Sequence, residues 1–179
     1  IPDTVVTIGA AAFSHCEKLT AVTLPKGLKT LSEACFAYSG LKKITIPASV
    51  ETLGTGSFGG GKDLKQCTLP EGLTEIPEDC FYLSGLTSVK IPSTVRIIGK
   101  GAFEFSDLQT VTLQEGLEVI EERAFNARYE EYGESYYFAD MTKVTVPSTV
   151  TPAAKGPTLK AGSSGFGWSL PSNHAPAGP

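Results

Sequence analysis

The sequence predicts a repeat solenoid with a parallel β-sheet on one face. Three observations carry that prediction. A proline recurs at Pro2, Pro25, Pro47, Pro70, Pro92 and Pro147, with Gln114 in the same slot, so the spacings run 23, 22, 23, 22, 22 and 33. A phenylalanine follows each of the first six slots at a constant distance: Phe13, Phe36, Phe58, Phe81, Phe103 and Phe125. A unit of about 22 residues cannot bury its own apolar face, but a stack of copies can.

Each element follows from what the repeat keeps fixed. Slot to aliphatic is always six residues (Ile8, Leu31, Leu53, Ile76, Ile98, Ile120), and aliphatic to Phe is always five. The next fixed apolar residue is Leu19, Leu41, Leu64, Leu86, Leu108 or Met141, always six before the following slot. Only the Phe-to-Leu distance changes, running 6, 5, 6, 5, 5 and 16. The fixed parts are therefore packed and paired. The Phe–Leu arc is a surface loop, a set of turns or a short helix.

The segment after each Leu reads as a strand. In "LTAVTLP", Val22 and Leu24 alternate with Ala21 and Thr23, the period-2 pattern of a half-buried strand. Proline then ends it, having no N–H for the ladder. A short second strand is expected at the aliphatic pair, as at Val50 and Leu53 in "VETL". The residue before each Phe is small (Ala12, Cys35, Ser57, Cys80, Ala102, Ala124), which predicts a tight corner. Successive coils should lie about 4.8 Å apart.

Residues 1–150 thus form six coils and the start of a seventh, with an insertion near 127–137 in the arc that tolerates length. Residues 151–179 hold five of the twelve prolines and the only tryptophan, and read as an irregular tail or cap. Phe166 and Trp168 are expected to pack against the open end of the seventh coil. The chain starts at Ile1 on a repeat boundary, without an initiating Met, and reads as an excised piece.

The stretch "IPSTVRIIGKGAFEFSDLQTVTL", residues 91–113, resembles the unit of the BspA-like leucine-rich repeat family. It carries that unit's pattern of Ile-Pro, Val, Ile-Gly, Ala-Phe and Leu-x-x-Val-x-Leu. Gln114 and the long sixth coil depart from it. The resemblance implies a leucine-rich-type solenoid in a secreted or surface protein of a host-associated bacterium or protozoan. It also implies adhesion, by binding host matrix proteins or other cells.

Composition sets wider bounds. The net charge is −4, and no apolar run approaches the ~20 residues of a membrane span. No basic stripe interleaved with aromatics points to nucleic acid. The four cysteines occupy repeat slots. Cys35 and Cys80 hold the small residue before Phe, Cys67 an inward strand position, and Cys16 a place where other coils mostly have Ser or Gly. Cys35 and Cys80 lie two coils apart, about 10 Å by the sheet spacing, beyond the ~7 Å reach of a disulfide. With no CxxC, and only His15 and His174, no metal site or cofactor is expected. The neighbours His15 and Cys16 should point apart, which disfavours a catalytic pair.

Three surface features remain. The outward strand positions form one column of Ala21, Lys43, Gln66, Ser88, Thr110 and Lys143, and another of Thr23, Thr45, Thr68, Lys90, Thr112 and Thr145. Neither contains an acid. This is either a solvated sheet face or a flat, weakly basic docking face for a protein or glycan through Lys43, Lys90 and Lys143. A glycosidase would need paired carboxylates there, so no enzyme is expected. From Gln114 to Asp140 there are eight acids against Arg123 and Arg128. They lack the Asp/Asn/Gly pattern of a calcium loop and read as a solvated face.

The third feature is "RYEEYGESYYF". Tyr129, Tyr132, Tyr136 and Tyr137 supply rigid contact area with a hydrogen-bonding tip, and Gly133 is placed for a turn between two arms. The stretch is read as a cover for the last coils, a protein-binding protrusion, or a sugar-stacking platform. The whole reads as a module that binds a host matrix or cell-surface protein. The alternatives are glycan binding through the tyrosines and a structural spacer.

Overall fold

The computed structural model describes residues 1–126, together with the backbone of 128–131, 134–137 and 143–145. The tail 151–179 with Phe166 and Trp168, Tyr132, and the side chains of Tyr129, Tyr136, Tyr137 and Lys143 lie outside the described residues.

Two ladders of short parallel strands run along the stack. On the main face lie β3 (Lys43–Thr45), β5 (Gln66–Thr68), β7 (Ser88–Lys90), β9 (Thr110–Thr112) and β13 (Lys143–Thr145). On the second lie β1 (Thr7–Ile8), β2 (Thr30–Leu31), β4 (Thr52–Leu53), β6 (Glu75–Ile76), β8 (Ile97–Ile98) and β10 (Val119–Ile120). Register always joins repeat-equivalent residues, such as Leu31 with Leu53 and Val89 with Val111. The arcs of the described residues are turns, with no helix. In the first coil, the strand expected over Ala21–Leu24 does not form. The Lys42 N–H donates to the Thr20 carbonyl, but the ladder goes no further, and Val22 is only half-buried.

Burial follows the repeat. Ile44, Val89 and Val111 point into the core, while Lys43, Thr45, Gln66, Thr68, Ser88 and Lys90 are exposed. The Phe rings stack along the axis with centroids 5.1, 5.8, 5.4, 5.2 and 5.3 Å apart. Phe36, Phe58, Phe81 and Phe103 are wholly buried, and the end rings Phe13 and Phe125 are half-buried.

Around each Phe the backbone alternates between two kinds of hydrogen bond. In the first coil the N–H groups of Ala11, Phe13 and His15 donate to the carbonyls of Glu33, Cys35 and Ala37 one coil on. The N–H groups of Ala12, Ser14 and Cys16 donate to carbonyls three residues back. The same alternation recurs through Phe103. It requires left-handed backbone two residues before and two after Phe. The first column is Ala11, Ala34, Gly56, Asp79, Gly101 and Arg123; the second is His15, Tyr38, Gly60, Leu83 and Phe105, with φ between +51° and +70°. Each non-glycine residue there costs roughly 1 kcal/mol or more. Every N–H of this arc is thereby satisfied. The variable residue lies beyond it: coils one and three place an extra turn before Leu, with Glu17 bonding to His15 and Lys62 to Gly60.

Both strand ladders break between coils three and four. The second ladder divides into β1–β2–β4 and β6–β8–β10, and the main ladder into β3–β5 and β7–β9–β13. Pro77 accounts for the first break. Its slot is held elsewhere by Ser32, Gly54, Gly99 and Glu121, whose N–H groups each bond to the preceding coil. Proline has no such donor. Across this seam the Phe arc continues, with Gly56, Phe58 and Gly60 donating to Glu78, Cys80 and Tyr82.

Two outcomes test this packing. Phe58→Ala should lower stability by about 3–5 kcal/mol, as a core cavity does, measured by urea unfolding; a loss under about 1 kcal/mol would mean that the ring fills no space. The seam should show in hydrogen exchange. The amides of Thr74 and Glu75 should exchange at least about tenfold faster than those of Glu51 and Thr52, which bond to Lys29 one coil back; equal protection would refute the break.

Candidate functional site

The repeat places four sets of side chains at or near the surface. The first is the main sheet face. Lys43 and Lys90 are exposed on β3 and β7 in the two neighbouring columns, and the backbone of β13 carries Lys143 into the column of Lys43 by pairing it with Thr110. An open cleft of about 570 Å³ crosses coils one to three on this side, with Lys42, Lys43, Lys65 and Asp63 in its walls.

The second is the outer edge of the Phe arc. His15 stacks on Tyr38 with centroids 4.8 Å apart and planes 7° from parallel. Tyr38 lies over Gly60, where a Cβ would fall 2.3 Å from its ring. Tyr82 meets Phe105 edge-on at 5.6 Å. Tyr38 remains 45% exposed, but its faces are taken by the neighbouring coils. This ladder therefore helps to hold coils together, and both faces of the Tyr38 ring are covered. Sequence reasoning missed it, along with the left-handed columns, because His, Tyr, Leu and Phe share no obvious type. The one available signal was Gly56, Gly60 and Gly101 at matching offsets.

The third is a charge cluster, also missed. Glu104 is only 4% exposed. Its Oε1 accepts from Asn126 Nδ2 at 3.1 Å and lies 3.5 Å from Arg123. Asp79 reaches over Gly101, where a Cβ would fall 2.4 Å from Oδ1. Burial pushes the Asp79 carboxyl above its ordinary value of 3.8, Glu78 adds to this, and Arg123 and Lys100 oppose it. The other acids of this region are tied down separately: Glu121 accepts from the Lys100 N–H at 2.9 Å, and Glu118 faces Arg96. Asn126 also accepts the Phe105 N–H. The cluster thus fastens the chain to coil five just before the insertion leaves it.

That insertion is the fourth set. Strands β11 (Arg128–Glu131) and β12 (Glu134–Tyr137) form an antiparallel ribbon in which Tyr129 pairs with Tyr136 and Arg128 with Tyr137. Among the described strands, the two arms contact only each other. After them β13 rejoins the stack in register with β9, 33 residues on instead of the usual 22 or 23.

The cysteines are free thiols placed as the repeat predicts. Burial pushes Cys35 and Cys80 up to about 12. Cys67 is raised as well, by burial and then by Cys80. Cys35 donates to the Ser57 carbonyl, and Ser57 Oγ lies 3.4 Å from Cys80 Sγ, so this column links three coils. Thiols held this far from ionisation are poor nucleophiles at neutral pH.

A family model described as BspA type leucine rich repeat region matches the chain in six copies, over residues 1–104 and 74–137. No curated protein matches it in sequence. Among solved structures, a leucine-rich repeat protein from Bacteroides ovatus is 19% identical with a TM-score of 0.44, over 68% of this chain and 44% of that one. A leucine rich cell surface protein from Faecalibacterium prausnitzii is 18% identical with a TM-score of 0.38, over 70% and 56%. The pneumococcal vaccine antigen PcpA is 18% identical with a TM-score of 0.42, over 84% and 50%. The chain thus spans about half the length of these proteins.

The raised Asp79 carboxyl gives a test with a definite sign. A raised acid favours the neutral form in the folded state, so its ionisation destabilises the fold above its folded pKa and has no effect below its unfolded one. Asp79→Asn should therefore raise the thermal midpoint at pH 7, and its advantage over the parent should close as pH falls through the carboxyl range. A difference that stays constant with pH would mean that the charge is not the cause.

Proposed function

Because this chain belongs to the BspA-type leucine-rich repeat family, we propose that it is a non-enzymatic protein-interaction module. It works outside the cell or at its surface and binds a host matrix or cell-surface protein. The observation that carries this reading is the ribbon of β11 and β12. It is inserted at the one place where the coil accepts length, and it leaves the parallel register intact. A two-stranded ribbon is marginal in water by itself, and a partner surface would supply the packing that it lacks. Tyr129, Tyr132, Tyr136 and Tyr137 bring the residue type most suited to such contacts. That the arms contact no other described strand favours recognition over covering the end of the stack. The non-enzymatic reading draws support from the sheet columns, which offer lysine, hydroxyl and amide groups but no carboxylate, and from the raised thiols. A glycan partner for the same tyrosines is the second reading.

The test uses a deletion that the repeat itself defines. Removing residues 127–137 restores the five-residue Phe-to-Leu spacing in coil six, so the variant should fold. In a screen against matrix proteins and glycans, binding should be lost with the deletion. Tyr129→Ala with Tyr136→Ala should weaken it by about 2 kcal/mol, the scale of an interface hot spot, or roughly 30-fold. Binding that survives both changes would move recognition away from the ribbon. Loss seen only with glycans would favour the second reading.

A further inference from the structure

The exposed face of the main sheet suits a different kind of partner. In coils two to four its outward side chains are Lys43, Thr45, Gln66, Thr68, Ser88 and Lys90. The cleft beside them adds Lys42 and Lys65, with Asp63 the one acid in its walls. Lys65 lies 3.1 Å from Asp107. Lys42, Lys43 and Lys90 make no ion pair among the described residues. An exposed pair such as Lys65–Asp107 is worth at most about 1 kcal/mol, so Lys65 can exchange partners at little cost.

What this face lacks is equally informative. A folded protein partner needs a desolvated aromatic or apolar anchor. The exposed large apolar residues among those described are Ile1, Val6 and Tyr38, at the chain end and in the other arcs. A hydrated anionic polymer needs something else: cations spaced along its length, with hydroxyls and amides between them. Coils about 4.8 Å apart set Lys43 and Lys90, two coils apart and in neighbouring columns, about 10 Å along the axis and roughly 7 Å across it. Lys42 and Lys65, one coil apart, are separated by about half of that axial distance.

We propose that this face is a docking surface for a linear sulfated polysaccharide. The ammonium groups of Lys42, Lys43, Lys65 and Lys90 meet its sulfates, and Thr45, Gln66 and Thr68 bond to its ring hydroxyls. The net charge of −4 works against indiscriminate binding of polyanions, which confines contact to this face. The proposal stands apart from the tyrosine ribbon and does not depend on it.

Heparin serves as the probe, with fully desulfated heparin and poly-glutamate as comparisons, by calorimetry at low salt. Heparin should bind, and its affinity should fall as salt rises. Lys42→Gln with Lys43→Gln should weaken it on the order of tenfold, with the melting curve unchanged because both residues are exposed. Desulfated heparin should bind far less, and deletion of 127–137 should leave heparin binding unaltered. Absence of heparin binding, or equal binding by the lysine variant, would overturn the proposal. Poly-glutamate binding as tight as heparin would assign the face to an acidic protein segment, and would overturn it too.

Discussion

The hydrogen bond from each Phe N–H to the carbonyl one coil on is the constraint from which the rest of the stack follows. Phe13 donates to Cys35, Phe36 to Ser57, Phe58 to Cys80, Phe81 to Ala102 and Phe103 to Ala124. The acceptor is always the residue before the next Phe, so a bulky side chain there would hold the two coils apart. The left-handed backbone on either side aims alternate N–H groups along the axis. The bond also fixes the ring spacing, because each Phe is carried by the backbone it joins. Face-to-face rings are not the arrangement that isolated aromatics prefer. Here the planes lie within 9° of parallel because the coils repeat.

This explains which parts of the molecule could be read from the sequence. The Phe ladder, the two strand faces, the small slot and the point of insertion all recur at a fixed offset, and recurrence is visible without coordinates. The outward lysines followed from strand alternation alone. The left-handed columns were not legible, since backbone conformation there is imposed by the lattice on residues as different as Ala11, Leu83 and Arg123. Glu104 was not legible either. An acid in a surface arc gives no sign of burial, and its partners Arg123 and Asn126 come from the following coil. The first coil's strand has the right pattern too, but its ladder to coil two goes no further than the Thr20 carbonyl, and Val22 is left half-buried.

The same lattice separates two kinds of exposed aromatic. Rings that project from the Phe arc are forced into register with the coil above and below, so His15 and Tyr38 spend their faces on each other. Only residues released from the 22-residue count escape this. The ribbon of β11 and β12 is such a release, and after it β13 returns to register with β9. The cluster of Glu104, Arg123 and Asn126 at its root gives it a fixed point of departure.

The seam at Pro77 divides the surface as well as the ladders. Residues 1–72 carry seven lysines against six acids, whereas residues 73–140 carry five basic residues against thirteen acids. The basic cleft belongs to the first three coils and the tyrosine ribbon to the last. Between them the strands do not pair, and the backbone bonds across are those of Gly56, Phe58 and Gly60 in the Phe arc and one just beyond it, from the Gly85 N–H to the Gly61 carbonyl. An arc with four such bonds and a buried ring stack resists sliding of one half past the other. It resists bending toward either strand face less, because those are the rows in which the bonds are missing. A long ligand lying on the main sheet across coils two to four would span that seam, joining by side-chain contacts what Pro77 and the unpaired β5 and β7 leave open.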